Sequence, residues 1–307
     1  MPVAFISHAN CSAHIMGEDH PESPARLMAI QDRLISSGVD VAVRHFDAHP
    51  IDPALLELAH DKSYIDFIFA NAPSTGTFVL DQDTLMSPST LNSALFAAGA
   101  AVDAVDLVMS KQMHSAFCAV RPPGHHAERD KAMGFCIFNN VAIAALYAQR
   151  KYGLQRVAIL DFDVHHGNGT ENIVTDKSGI LFCSIFQHPF YPYSGTGPTP
   201  SHIINSPLPA TAGSVEFRQK ICADWLPALD QFKPELILIS AGFDAHVEDS
   251  ISQLFFNEND YRWVTEQLVT IADKYAEGRI ISVLEGGYEL GALGRSVVAH
   301  INGLIGN

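Results

Sequence analysis

Arg156-Val-Ala-Ile-Leu160 runs straight into Asp161-Phe-Asp163-Val-His165-His166-Gly-Asn168-Gly169. The first part is a short apolar run and reads as a strand buried on both faces. The second is charged and glycine-rich. A buried strand that breaks abruptly into ionisable residues is the pattern of a parallel sheet whose ligands bind beyond the carboxyl ends of its strands.

The same pattern recurs outward from this stretch. Apolar runs at 115–120, 236–240 and 280–284 lead into Arg121-Pro-Pro-Gly-His125-His126, Ala241-Gly-Phe-Asp244-Ala-His246 and Glu285-Gly-Gly-Tyr288. A fifth run, 180–184, completes the strands read from composition. Between them lie helical patterns at 24–36, 90–109, 139–150, 215–232, 260–276 and 290–304. Ser23 is expected to cap the first helix ahead of Pro24, and Gly278 to end the one before it. Strand–helix alternation of this kind predicts an α/β fold, a parallel sheet with helices on both faces. The stretch 187–209, rich in Pro, Gly, Ser and Thr, reads as a long ordered loop of the functional sort. With no repeat and no low-complexity linker, residues 1–307 are expected to form a single domain.

The 307 residues include 47% apolar side chains, and 19 basic against 34 acidic groups leave a net charge of −15. That sign repels a phosphate backbone, so direct nucleic-acid binding is not expected, whereas a cationic substrate is suited. The cysteines at 11, 118, 136, 183 and 222 include no C-x-x-C pair. A reducing compartment therefore fits better than a disulfide framework. The N-terminus lacks a basic start with a long apolar stretch, and no uncharged apolar run reaches the ~20 residues that span a bilayer. The expectation is a cytoplasmic protein with no membrane partner. The oligomeric state, monomer or homo-oligomer, is left open.

Four strands thus bring ionisable residues to one edge of the sheet. Asp161, Asp163 and His165 alternate, and a side-chain period of two can set all three on one side. Carboxylates so close together repel unless a cation neutralises them. Asp163 and His165 can ligate one metal, with Asp244 arriving from a neighbouring loop. Two carboxylates and one imidazole leave coordination positions open, as catalytic sites do. A lone Asp after a strand more often caps a helix or turn; the whole D-x-D-x-H run with a second Asp-bearing loop is what favours the metal. Beside such a site, His125 and His126 can take a proton from water and return it to a leaving amine. Tyr288, freed by the Gly-Gly turn, can donate to a developing oxyanion.

These segments, with His20-Pro-Glu-Ser-Pro-Ala-Arg26 and Gly134-Phe135, stand in the order found in the histone deacetylase family, and the chain resembles its class II branch. The resemblance implies a three-layer α/β/α, arginase–deacetylase-like fold around a mostly parallel sheet of about eight strands. It implies zinc on Asp163, His165 and Asp244, with ferrous iron able to substitute. It makes His126 the main general base and acid. His125 would assist, hydrogen-bonded to Asp161, and Asn168 would orient His126 without adding negative charge. Tyr288 would donate to the acyl oxygen. Gly134, Phe135 and Tyr193 would line the substrate tunnel; for Asp83 a solvent contact flanking a helix is favoured over an anchor at the tunnel rim. Asp161 and Ser184 would belong to a structural potassium site. The implied substrate is an acylated lysine in a peptide or protein, or an acetylated polyamine. Polyamine-selective members of one branch carry a Glu where Ile251 stands here. The remaining readings are an arginase-like hydrolase with two manganese ions, which the His-His pair and Tyr288 fit poorly, and a non-catalytic acyl-lysine binding module.

Overall fold

The computed structural model describes residues 3–17 and 19–306. Its strands are β1 (Val3–Ser7), β2 (Val43–Asp47), β3 (Phe78–Val79), β4 (Leu85–Met86), β5 (Ser115–Cys118), β6 (Val157–Asp161), β7 (Ile180–Gln187), β8 (Ile203–Leu208), β9 (Leu236–Ala241) and β10 (Ile280–Leu284). β3 and β4 form a small antiparallel hairpin. The other eight make one parallel sheet in the order β2-β1-β5-β10-β9-β6-β7-β8. Every residue of β5, β6, β7, β9 and β10 is buried, which is why these strands read as unbroken apolar runs and not as an alternation.

The helices are α1 (Ala25–Ser37), α2 (Lys62–Ala70), α3 (Thr90–Met109), α4 (Asn140–Tyr152), α5 (Asn168–Val174), α6 (Ser214–Lys220), α7 (Leu226–Phe232), α8 (Glu258–Tyr275) and α9 (Leu290–Ile305). α9 packs between α1 and α8, and α3 packs against α4, so that helices flank the sheet. α3 is 20 residues long and apolar enough to cross a membrane by length and composition. Its Ala-rich surface is buried here against α4 and β5. In the sheet register Asp161 stands beside Ser240 of β9 and Ser184 of β7.

Several local expectations need correction. The stretch 187–209 is not all loop. β7 runs on to Gln187, and Ile203–Leu208 is the edge strand β8. Only one side of β8 is paired, so it tolerates Pro207 and polar residues that disguise it in the sequence. β1 and β2 lie outside the strands read from the sequence; β1, Val-Ala-Phe-Ile-Ser, is nonetheless a buried apolar run, whereas β2 reads Val-Arg-His-Phe-Asp, an edge strand with no apolar run. The expected helix over 215–232 is two helices joined by a π turn at Ile221–Trp225, just ahead of Pro227. The widened turn accommodates a ring that has no N–H to donate. Ser23 does not cap α1 with its hydroxyl. Pro24 is the N-cap residue, and the Ser23 carbonyl accepts from Arg26 N at 3.1 Å. Gly278, at φ +77°, does close α8, donating to Ala272 O at 3.0 Å.

Candidate active site

The motif-bearing strands β5, β10, β9 and β6 are consecutive neighbours at the centre of the sheet. Their carboxyl ends therefore open onto one place. There the ligand atoms of Asp163, His165 and Asp244 lie within 4.8 Å of one another, all three residues buried. Asp163 Oδ2 accepts from Gly286 N at 2.8 Å, and Asp244 Oδ1 from Val164 N at 2.9 Å. Asp244 Oδ2 is buried with no hydrogen-bond partner. Gly286 is demanded by this crowding: a Cβ there would stand 2.6 Å from Asp163 Oδ2 and nearer still to Asp244.

The electrostatics show a cluster short of positive charge. Burial, then the Asp163 charge, pushes Asp244 up to about 6. Burial works to lower His165, but its hydrogen bond to Asp163 and the Asp244 carboxylate 3.3 Å from its Nδ1, a charge contact rather than a hydrogen bond, outweigh that and hold it at about 9. Two buried carboxylates, one with an orphaned oxygen, and an imidazole fit a divalent cation with further positions free.

The tandem histidines sit beside the triad in unlike surroundings. His125 Nδ1 lies 2.9 Å from Asp161 Oδ2, and His126 Nδ1 lies 2.7 Å from Asn168 Oδ1. Burial would lower His125, but the charge on Asp161 overcomes it and raises the pKa well above the ordinary histidine value. Burial, then the charges of His125 and His165, holds His126 well below it. Neighbouring groups driven apart in this way are a common arrangement for acid–base work. Glu285 fixes the turn that carries them: its Oε2 accepts from Gly124 N at 2.7 Å and His125 N at 3.1 Å. Gly134, at φ +55°, presses on the His126 ring so closely that any Cβ would overlap it.

Tyr288 is placed by both neighbouring loops. Asp249 Oδ2 accepts from Tyr288 N at 2.6 Å and Glu289 N at 3.1 Å. Arg26 Nε donates to Gly287 O at 2.7 Å, and its guanidinium carbon lies 5.0 Å from the Tyr288 ring centroid. Burial, then the Asp244 charge, raises the Tyr288 hydroxyl well above its usual value, so it remains a donor at neutral pH.

A cavity of about 230 Å³ leads to this centre. His126, His165 and Tyr288 stand on it with Gly134, Phe135, Phe190, Tyr191, Ile251 and Asp83. Phe190 stacks on His165 at 5.3 Å, and Phe135 meets Tyr288 edge-on at 6.0 Å between centroids. Tyr193 is not on this cavity and is 77% exposed. A turn closed by Tyr193 N on Phe190 O, 2.8 Å, turns Phe190 and Tyr191 inward and leaves Tyr193 in solvent. Asp161 and Ser184 are register partners, as a shared cation would need, but the Ser184 hydroxyl also meets His166 Nδ1 at 3.0 Å.

The histone deacetylase domain family matches residues 20–304. The chain belongs to the histone deacetylase family. A probable deacetylase of Archaeoglobus fulgidus is 35% identical, covering 95% of this chain and 83% of the relative. The mouse polyamine deacetylase HDAC10 is also 35% identical, over 100% of this chain; the chain spans 49% of that protein. The crystal structure of the HDA15 HD domain superposes with a TM-score of 0.93 at 30% identity, covering 100% of this chain and 89% of the other. The sheet and its flanking helices are thus those of a histone deacetylase domain. Membership supports amide deacetylation and, as is general in the family, dependence on a metal.

The positions of Asp249, Phe190 and Tyr191 escaped sequence reasoning, as did the roles of Glu22, Arg26 and Glu285, although Glu285 was placed at this edge of the sheet. Glu22 and Arg26 lie in the 20–26 motif, which was the available signal; Asp249 and Phe190 sit in segments with no regular periodicity.

Proposed function

We propose that this histone deacetylase-family protein hydrolyses Nε-acetyl-lysine in peptides or proteins, with zinc on Asp163, His165 and Asp244. The observation that carries this reading is the cavity itself: a narrow aromatic slot that suits an apolar lysine stem and ends at the triad, His126 and Tyr288. A divalent cation bound there supplies Lewis acidity to the acyl carbonyl and to the attacking water. Ferrous iron is the alternative occupant.

The side chains then divide the work. Phe135, Phe190 and Tyr191 hold the stem and exclude water. His126, with Nδ1 engaged by Asn168, presents Nε2 as the base that takes the water proton. His125, its Nδ1 toward Asp161, stays protonated and steadies the charge that develops nearby. Tyr288 donates its hydroxyl hydrogen to the carbonyl oxygen as the carbonyl carbon becomes tetrahedral. The proton held at His126 passes to the leaving amine. Asp161 and Ser184 are assigned to a structural potassium site.

The test is kcat/KM on an acetyl-lysine peptide before and after chelation, then with zinc restored. Activity should vanish and return. Loss of a cation bound at roughly a thousandfold excess over Kd should also lower Tm, by on the order of 5–10 °C. A fully metallated protein inert to acetyl-lysine would sink the substrate assignment.

Acetylated polyamine is the second reading, favoured by the −15 charge, by Asp83 at the cavity and by likeness to the mouse polyamine deacetylase. Ile251 weighs against it, because it presents an apolar surface where a carboxylate would meet a distal ammonium. Ile251→Glu should raise kcat/KM for acetylputrescine relative to an acetyl-lysine peptide roughly tenfold. An unchanged ratio in a competition assay would remove Ile251 from specificity.

A further inference from the structure

Two residues past the tandem histidines, Glu128 points at the machinery from outside the cavity. Its Oε1 accepts from Asn168 Nδ2 at 2.7 Å, while Asn168 Oδ1 faces His126 Nδ1 at 2.7 Å. The amide nitrogen of Asn168 also reaches Met133 Sδ at 3.3 Å. Glu128 is not a loose surface side chain. It is half-buried, its N–H donates to Lys131 O at 2.9 Å, and its carbonyl lies 2.8 Å from His60 Nδ1.

We propose that Glu128 is a positioning residue that sets the tautomer of His126 through the amide of Asn168. A carboxylate only accepts hydrogen bonds, so the amide must turn its NH2 toward Glu128. The amide oxygen then faces His126 and can only accept. His126 must therefore carry its proton on Nδ1, which leaves the lone pair on Nε2, the nitrogen turned away from Asn168. That is the form a base requires. Asparagine alone has no such preference, because its two ends are nearly the same size. The flipped amide would donate to Nδ1 and send the proton to Nε2, where it blocks the base. A partner with a fixed acceptor sense is what breaks the symmetry: Glu128 supplies the strong one at 2.7 Å, and Met133 Sδ, a weak acceptor at 3.3 Å, adds only slightly to it.

This inference rests on His126 being the base, and the experiment separates the two. Steady-state kinetics on an acetyl-lysine peptide would compare the zinc-loaded full chain with H126A, E128Q, E128A, E128K, N168D and E128K/N168D. Nitrogen-15 spectra of labelled histidine would read the His126 tautomer in each folded variant.

E128Q can still accept from the amide and should keep kcat within about threefold. E128A removes the orienting group: kcat should fall roughly tenfold with KM unchanged, and the spectrum should show mixed tautomers. E128K presents a donor, turns the amide over and should cost on the order of a hundredfold in kcat, with the proton on Nε2. N168D sets a second carboxylate against Glu128 and should also be poor. The double variant should recover most of the loss, because a carboxylate at 168 can accept from the new ammonium and from Nδ1–H together.

Wild-type kcat and an Nδ1–H tautomer in E128K, with H126A inactive, overturn the role of Glu128 alone. A double variant no better than the worse single variant overturns it as well. Near wild-type turnover in H126A overturns the base assignment instead. Should E128K fail to fold, equal kcat and one shared tautomer in E128A and E128Q overturn the role of Glu128 in its place.

Discussion

Tyr288→Phe should lower kcat by roughly two to three orders of magnitude and leave KM within a few-fold. The ring itself is held by groups the substitution does not touch. Asp249 binds its backbone N–H, Arg26 lies against its face, and Phe135 meets its edge. Phenylalanine therefore keeps the slot and loses one donor. Burial and the Asp244 charge keep that donor protonated in the native protein, so its effect belongs to the step in which negative charge grows on the carbonyl oxygen. Binding of the ground-state amide needs it far less. A parallel rise in KM with little change in kcat would assign Tyr288 to substrate binding instead.

Glu22→Ala should destabilise the fold by roughly 3–5 kcal/mol, because it strands two guanidinium groups in the interior. Glu22, Arg26 and Arg121 are all fully buried. Glu22 Oε1 accepts from Arg26 Nη1 at 3.1 Å, and Glu22 Oε2 from Arg121 Nη2 at 2.7 Å, with a further close bond between Glu22 Oε1 and Arg121 Nε. Arg121 also donates to Cys11 O at 3.1 Å and His14 O at 3.0 Å, which ties the N-terminal segment to β5. In a chain of this length the loss should appear as a fall in Tm of roughly 5–8 °C. Some loss of kcat should accompany it, since the same Arg26 holds Gly287 beside Tyr288.

Burial alone would raise the Glu22 pKa, but the Arg121 charge and hydrogen bond overcome it and hold the carboxyl at about 2. The folded value lies below the unfolded one, so the stabilisation is fully present above about pH 5 and is lost as pH falls toward 2, roughly 3 kcal/mol in all. Glu22→Gln lacks that titration. The stability gap between wild type and Glu22→Gln should therefore narrow between pH 6 and pH 3 in denaturant melts. A gap independent of pH would show that the charge on Glu22 contributes little.

The residues alone reveal the core of the sheet and the edge where ionisable side chains gather. Strands buried on both faces must be apolar throughout, so β5, β6, β7, β9 and β10 announce themselves. Where such a strand ends in Asp, His or Tyr, the chain has left the core at the functional edge. That Asp163, His165 and Asp244 come together with His125, His126 and Tyr288 at one edge of the sheet was legible for that reason. Edge strands carry no such requirement, and β2 and β8 stayed hidden.

Which side chains meet across the loops follows from three-dimensional packing. The order of β5, β10, β9 and β6 brings Asp249 to the backbone of Tyr288 and Glu285 to that of His125. A single turn decided that Phe190 and Tyr191 wall the cavity and that Tyr193 does not. Loop side chains have no period to read. Their partners are set by long-range packing, which brings together residues as far apart as Arg26 and Gly287.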